Sequence, residues 1–155
     1  METKDPIAVL GDMIVPVLNN SMYTYKAAGP HVLIEEQLIS HMGRYMGFDN
    51  AGGIFAPGGS LSNLTAMVVA RNERIEGGRE TGFAGHRLAV YTSAVSHYSI
   101  TKAAGMVGIG RQNVRKIPVD SNARMIPEAL AKAIEADLKE GIILLCKCRN
   151  WRSTC

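Results

Sequence analysis

The sequence has no long hydrophobic run. No stretch reaches the about 18 consecutive apolar residues that a membrane-spanning helix needs. Near the amino terminus, the charged side chains of Glu2, Lys4, Asp5 and Asp12 interrupt the apolar pattern that a signal peptide requires. We therefore predict neither a membrane span nor a secretory leader.

Cysteine is scarce and lies at one end of the chain. The three cysteines are Cys146, Cys148 and Cys155. An odd number crowded together is not typical of a disulfide framework, and a Cys-x-Cys pair without a second His or Cys pair is a weak sign of a metal site. A reducing, cytoplasmic location is the simplest interpretation.

An excess of charge of one sign is also lacking. The net charge is +3, and acidic and basic residues are interspersed along the chain. The nearest approach to a basic cluster is Arg111, Arg115 and Lys116, and no aromatic residues alternate with them to stack on bases. We interpret this cluster as a solvated face, and we do not predict nucleic acid as a partner.

The sequence does contain enough apolar residues for a core. Hydrophobic residues make up 46% of the 155 positions, which is typical of one folded domain. In the first half, periodicity predicts helices over residues 6–18, 30–47 and 62–78, with an extended connector at 22–25. Pro16 should bend or end the first helix, because proline cannot donate a backbone hydrogen bond.

The second half alternates between strand and helix patterns. Strands are predicted at 88–93, 114–119 and 142–146, with helices at 99–109 and 125–140 between them. Ile126, Leu130, Ile134 and Leu138 are expected to line the buried face of the last helix. This order predicts an α/β fold in which helices cover a mainly parallel sheet.

A glycine-rich turn, Pro-Gly-Gly-Ser-Leu-Ser-Asn at residues 57–63, precedes the third predicted helix. Glycine lets the backbone approach a ligand closely, and the free N–H groups of a helix N-terminus favour a phosphate or carboxylate. In a simpler interpretation, Ser60, Ser62 or Asn63 only caps the helix. The turn matches neither the complete nucleophile elbow of hydrolases nor a nucleotide-binding loop.

His97 follows the first strand of the alternating region. Ligands bind at the carboxyl ends of parallel strands, so this histidine is well placed for acid–base chemistry or for stacking on a flat ring. Alternatively, Ser96 or Ser99 caps the next helix and His97 is incidental. No carboxylate or cysteine lies beside it at metal-ligand spacing, and we predict no metal. Lys102 is interpreted as a surface lysine rather than as a covalent link to a carbonyl compound.

Several motifs together resemble those of a known family. They are Asn-Ser-Met-Tyr-Thr-Tyr at 20–25, Gly-Ile-Phe-Ala-Pro-Gly-Gly-Ser-Leu-Ser-Asn at 53–63, Ser-His-Tyr-Ser-Ile-Thr-Lys at 96–102, and Lys-Ile-Pro-Val-Asp at 116–120. Their order and spacing resemble the group II pyridoxal-phosphate-dependent decarboxylases, especially the glutamate and cysteine-sulfinate decarboxylase branch. The resemblance covers about residues 6–145.

This resemblance implies a fold, a cofactor and site residues. The fold would be part of the large domain of the aspartate aminotransferase superfamily, and the activity would be pyridoxal 5'-phosphate-dependent decarboxylation of a small, acidic amino acid by a homodimer. Gly59, Ser60, Leu61 through its backbone N–H, and Ser62 would hold the cofactor phosphate. His97 would stack on the pyridine ring and assist protonation after carbon dioxide departs.

The resemblance also predicts how the chain is divided into segments and shows which family motifs these residues do not contain. It implies an amino-terminal helical segment at 1–50, part of the cofactor-binding large domain at 51–146, and a tail at 147–155 that departs from the family. The resemblance stops before two motifs of the family. One is the aspartate that pairs with the pyridine nitrogen of the cofactor, and the other is the His-Lys pair whose lysine forms the covalent link to the cofactor. We expect an amino-terminal piece of the large domain, ended by an altered reading frame and catalytically incomplete.

Two other functions remain open from the sequence. One is a noncatalytic fragment that binds the cofactor phosphate or pairs with a full-length subunit. The other, more remote, is an unrelated phosphate-binding module.

Overall fold

The computed structural model describes residues 5–19, 21 and 23–145 of the chain. The chain forms two compact units, which divide between Phe55 and Ala56. The boundary predicted from the resemblance falls at residues 50 and 51, and its assignment of a family segment to each part stays a prediction. The predicted tail and the three cysteines lie outside the described residues.

The first unit is helical. It contains α1 at Pro6–Leu18, α2 at Tyr25–Ala28 and α3 at Pro30–Tyr45. Asp5 caps α1, because its carboxylate accepts a 2.8 Å hydrogen bond from the backbone N–H of Ile7. The predicted α1 and α3 are thus confirmed, with α3 ending at Tyr45 rather than at 47.

One local expectation in this unit is wrong in part, and another is wrong for one residue. α1 does not end at Pro16 but continues to Leu18, since the hydrogen bond that this proline removes lies in the last turn; a bend at Pro16 stays a prediction. The residue after the helix, Asn19, adopts a left-handed conformation (φ 41°) and caps its end. Tyr25 is not extended but begins α2, since Thr24 caps this short helix by accepting from the N–H of Ala27 at 3.3 Å.

The segment after α3 folds back onto it. A Cβ atom at Gly43 would collide with the side chain of Ala51, so the loop approaches the helix at a place that only glycine allows. Farther along, a carboxylate oxygen of Glu35 accepts a 2.8 Å hydrogen bond from the backbone N–H of Phe55. These contacts hold residues 51–55 against α3.

The second unit alternates helices and strands. It contains α4 at Gly59–Arg74, α5 at Gly78–Thr81, β1 at Leu88–Ser93, α6 at Ser99–Met106, a 3₁₀ turn at Arg111–Asn113, β2 at Val114–Ile117, α7 at Pro127–Lys139 and β3 at Ile143–Leu144. The predicted strands and helices are confirmed in type and order, although α6, β2 and β3 end two or three residues sooner than predicted. α5 and the 3₁₀ turn are not predicted from the sequence.

The three strands form a parallel sheet in the order β2-β1-β3. Val90 of β1 is aligned with Val114 of β2, and Leu88 is aligned with Ile143 of β3. β1 is therefore central and buried, as expected for an apolar strand of a parallel sheet. The predicted α/β fold with a parallel sheet and flanking helices is confirmed.

One prediction about α7 is wrong. Leu138 is 54% exposed, whereas Asp137 is only 6% exposed and lies on the buried side of the helix. Residues four apart drift by about 40° per step around a helix of 3.6 residues per turn. By Leu138, a stripe that begins at Ile126 has therefore rotated out of the core.

The core of the second unit lies under α4 and α6. Its buried members are Met67, Ile75, Leu88, Ala103, Ala104, Val107, Ile109 and Leu145. Ala103 and Ala104 are small and almost fully buried, so α6 can approach α4 closely. This packing sets the first turn of α4 beside the start of α6.

Candidate functional site

The glycine-rich turn begins α4 without a side-chain cap. Gly58 has φ 99° and ψ 158°, a conformation essentially restricted to glycine, and α4 starts directly after it at Gly59. The backbone N–H groups of Leu61 and Ser62 both donate to the carbonyl of Gly58, at 3.2 and 3.1 Å. The expectation that Ser60, Ser62 or Asn63 caps the helix is therefore wrong.

The start of α4 has the features of an anion cradle. Helix geometry leaves the N–H groups of Gly59 and Ser60 without a carbonyl inside the helix. A Cβ at Gly59 would meet no atom within 4 Å, so open space lies beside these donors. The N–H of Leu61 and the hydroxyl of Ser62 are already bonded to Gly58, the latter at 3.2 Å. A phosphate would thus meet Gly59 and Ser60 directly and Ser62 after rotation of its hydroxyl.

His97 lies on the turn between β1 and α6. The N–H of Ala94 donates to the carbonyl of Ile117 at 2.8 Å, which extends the sheet pairing and aims the chain past the carboxyl end of β1. The ring of His97 is exposed. An exposed imidazole at this edge of a parallel sheet can meet a ligand.

The inner ring nitrogen of His97 is held by Ser99. Nδ1 lies 2.9 Å from the Ser99 hydroxyl oxygen and accepts a hydrogen bond from the Ser99 backbone N–H at 3.3 Å. Tyr98 is the residue before α6, and no side chain of Ser96 or Ser99 caps it. The capping alternative is therefore wrong, because the ring of His97 itself satisfies an N–H of the first turn.

Asn63 joins this arrangement to α4. Its side-chain amide donates a 2.9 Å hydrogen bond to the Ser99 hydroxyl, which is 3% exposed. The second turn of the glycine-led helix is thereby connected to the histidine after β1. Sequence reasoning considered Asn63 only as a helix cap and missed this role, although its place in the turn motif was a signal.

A cavity of about 330 Å³ lies between α4 and α6. Two of the predicted phosphate-binding residues, Ser60 and Leu61, line it together with Tyr98, Ser99 and Lys102. Gly59, Ser62 and His97 are not among its lining residues. The cavity therefore adjoins the predicted cofactor residues without enclosing all of them.

Lys102 is exposed, as predicted for a surface lysine. Its ammonium group lies 4.6 Å from the centre of the Tyr98 ring, within the range of a cation–π interaction. Tyr98 in turn contacts the ring of His97, with centroids 4.3 Å apart. Lys102 thus packs on the ring of Tyr98.

A second polar network lies on the other side of β1. The carboxylate of Asp137 accepts from the guanidinium of Arg115 at 2.9 to 3.2 Å and from the hydroxyl of Tyr91 at 2.5 Å. The expectation that Arg115 belongs to a solvated face is wrong, because this ion pair is largely buried. The signal was an acidic residue seven positions after Leu130, on the inner face of α7.

Asp137, Arg115 and Tyr91 shift one another's pKa values. Hydrogen bonds from Arg115, and then from Tyr91, hold the pKa of Asp137 below its usual range. Burial, followed by the hydrogen bond to Asp137, raises the pKa of Tyr91 well above its usual value. The hydrogen bond to Asp137 likewise raises the pKa of Arg115.

Neither a metal cluster nor a membrane span is found in the described part of the chain. Within residues 5–19, 21 and 23–145, no group of three or more His, Cys, Asp or Glu side chains could hold a metal ion. The helices of the same residues are too short or too polar to cross a membrane.

The model of the pyridoxal-dependent decarboxylase conserved domain matches residues 1–155. The chain belongs to the pyridoxal-dependent decarboxylase family. It is 41% identical to cysteine sulfinic acid decarboxylase of Mus musculus over 140 residues, which are 90% of this chain and 28% of the relative. It is 39% identical to acidic amino acid decarboxylase GADL1 of Mus musculus over 151 residues, 97% of this chain and 28% of the relative.

Solved structures of the family are also similar to this chain. The crystal structure of mouse CSAD gives a TM-score of 0.86 with 39% identity, covering 93% of this chain and 31% of that one. The crystal structure of Oryza sativa TDC with PLP and tryptamine gives a TM-score of 0.77 with 25% identity, and the match covers 92% of this chain and 31% of that one. The predicted family, its fold and its cofactor, pyridoxal 5'-phosphate, are confirmed, and the site residues within this chain stay predictions.

Proposed function

We propose that this chain supplies the phosphate cradle and the ring-stacking histidine of a pyridoxal-phosphate-dependent decarboxylase of small acidic amino acids. The family membership supports the reaction, and the two relatives named for acidic substrates support the substrate class. The observation that carries the proposal is the hydrogen-bonded connection from α4 through Ser99 to His97.

The start of α4 suits the cofactor phosphate. Gly59 and Ser60 offer backbone N–H donors beside open space, and the positive end of the helix dipole faces the same way. Ser62 adds a hydroxyl that can turn from the carbonyl of Gly58 toward a phosphate oxygen. Leu61 is the weakest member of the predicted set, because its N–H is already bonded.

His97 would hold the pyridine ring in place. Its ring is exposed at the carboxyl end of β1 while Nδ1 is bound to Ser99, so one face and Nε2 remain available. When bound, pyridoxal phosphate supplies the electron sink for breaking the bond to the substrate carboxylate. His97 orients the ring and can transfer a proton at Nε2.

Residues 1–155 are proposed to bind the phosphate without decarboxylating an amino acid by themselves. Covalent catalysis with this cofactor requires a lysine nucleophile, and the family's His-Lys pair does not occur among these residues. We expect no release of carbon dioxide above the blank from cysteine sulfinate, glutamate or aspartate with added cofactor. Borohydride trapping of the cofactor at one lysine, such as Lys102, together with carbon dioxide release, would contradict this.

A chimera tests the family role directly. Residues 6–145 replace the matching segment of the mouse cysteine sulfinic acid decarboxylase, whose 41% identity makes the exchange feasible. The chimera should decarboxylate cysteine sulfinate, and His97→Ala within it should lower kcat by about 100-fold or more. A folded chimera that binds cofactor and is indifferent to His97→Ala would overturn the proposed role.

Self-association and a cytoplasmic location belong to the same proposal. α1 buries none of its residues, and Ile7, Leu10, Met13, Ile14 and Val17 are each more than half exposed. A helix this apolar suits a contact between subunits, either two copies or one copy and a full-length subunit. Light scattering should detect a dimer, and Ile14→Glu should give a monomer.

Microscopy of a tagged chain tests the proposed cytoplasmic location.

A further inference from the structure

Three side chains from two segments of the chain form a hydrogen-bonded series beside the candidate site. Asn63 on α4 donates to the Ser99 hydroxyl at 2.9 Å, and that hydroxyl lies 2.9 Å from Nδ1 of His97. Ser99 is buried, Asn63 is half-buried and His97 is exposed. The series therefore runs from the interior to the surface.

The donors and acceptors fix its direction. A backbone N–H can only donate, so the 3.3 Å bond from the N–H of Ser99 makes Nδ1 of His97 an acceptor. The Ser99 hydroxyl oxygen accepts a hydrogen bond from the amide of Asn63, which leaves the hydroxyl proton free to point at Nδ1. With two donors aimed at Nδ1, a neutral ring carries its proton on Nε2.

From this series we infer that Asn63 is a positioning residue, which acts through the Ser99 hydroxyl and strengthens the hold of the Ser99 backbone N–H on His97 in the Nε2–H form. This deepens the proposed function and rests on it for its catalytic meaning. Nδ1 is hydrogen-bonded to Ser99 at the start of α6. Any proton that His97 exchanges with a ligand therefore passes through Nε2. The second turn of α4 thus sets the protonation geometry of a ring on another element.

The test reads the proton position in the full 155-residue chain without cofactor. Histidine labelled with nitrogen-15 distinguishes a bare ring nitrogen from one that carries hydrogen, and His97→Gln assigns the signal among the four histidines. Spectra are taken at about pH 9, where histidine side chains are neutral. We expect a bare Nδ1 and a protonated Nε2 at His97.

Asn63→Asp gives the sharpest variant. The side chain keeps its shape but replaces a donor with an acceptor, so the Ser99 hydroxyl should turn its proton toward the carboxylate and offer a lone pair to Nδ1. Nδ1 then keeps the backbone N–H of Ser99 as a donor but loses the hydroxyl donor, so the Nε2–H form should be less populated and the two nitrogen signals of His97 should move toward each other. Ser99→Ala should abolish this response, because the effect passes through the hydroxyl.

Asn72→Ala is the matched control on the same helix. Asn72 contacts Arg71 rather than His97, so the His97 signals should not move. A wild-type His97 with its proton on Nδ1 overturns the inference without any variant. So does a folded Asn63→Asp chain, checked by circular dichroism, that keeps the wild-type signals. Because no cofactor is present, these results are independent of whether the chain binds pyridoxal phosphate.

Discussion

Two polar networks flank β1, and they differ in charge and in how they end. The Tyr91–Asp137–Arg115 network is charged, and each of its members finds a partner within the protein. The Asn63–Ser99–His97 network contains no carboxylate or guanidinium group and ends at an exposed ring with one nitrogen unbound in the network. We call Tyr91–Asp137–Arg115 the closed network and Asn63–Ser99–His97 the open network. The closed network stabilises the fold, whereas the open network presents a group to a ligand.

The comparison predicts that the closed network matters most for stability. Asp137→Asn should lower the free energy of unfolding by about 3 kcal/mol, because it leaves the largely buried Arg115 without its counterion. Urea unfolding followed by circular dichroism measures the change. The nitrogen signals of His97 should not move.

Glu140→Gln is the control for this prediction. Its ion pair with Arg87 has the similar distance of 3.0 Å, yet both side chains are more than 60% exposed. It should therefore cost less than about 1 kcal/mol. Equal effects of the two substitutions would contradict the distinction between the buried and exposed pairs.

The closed network should also set the pH limits of stability. The pKa of Asp137 is lowered in the native state, so its contribution is present above the ordinary aspartate pKa and is lost as pH falls below about 4. The pKa of Tyr91 is raised, so its contribution is present below the ordinary tyrosine pKa and is lost as pH rises above about 10.

Variants separate the two limits. Asp137→Asn should flatten the acid side of a plot of unfolding free energy against pH, and Tyr91→Phe should flatten the alkaline side. Urea midpoints measured between about pH 3 and pH 11 provide the plot. If the slopes of unfolding free energy against pH are unchanged in both variants, the closed network does not cause the pH dependence of stability.

The open network should matter less for stability. Asn63→Ala removes one partner of the buried Ser99 hydroxyl, which keeps its contact with His97, so the expected loss is about 1 kcal/mol. Asn72→Ala on the same helix serves as the reference in the same urea measurement. A loss as large as that of Asp137→Asn would show that the open network is mainly structural.

Local patterns were enough for much of the fold. β1 was predicted with its observed bounds, Leu88–Ser93, because an apolar run between polar segments specifies a buried strand. Helix ends were harder. Gly59 begins α4 without any side-chain cap, and Pro16 stays inside α1, because backbone conformation and position in the last turn outweigh residue preference there.

The two networks show what local patterns miss. His97 and the glycine-rich turn were found from motifs, but their connection depends on the packing of α4 against α6. Arg115 was assigned to a solvated face because its partner, Asp137, lies 22 residues away on α7. Pairing across such distances becomes visible only when the elements are placed in space.

Binding of pyridoxamine 5'-phosphate to the nitrogen-15-labelled chain tests the proposed cofactor site most directly. This amine form of the cofactor cannot couple to surface lysines, so only noncovalent binding is detected. The backbone amides of Gly59 and Ser60 and the ring of His97 should shift together, and pyridoxamine without phosphate should have little effect at Gly59 and Ser60. Equal shifts with both compounds, or shifts that avoid α4 and His97, would contradict the proposed site.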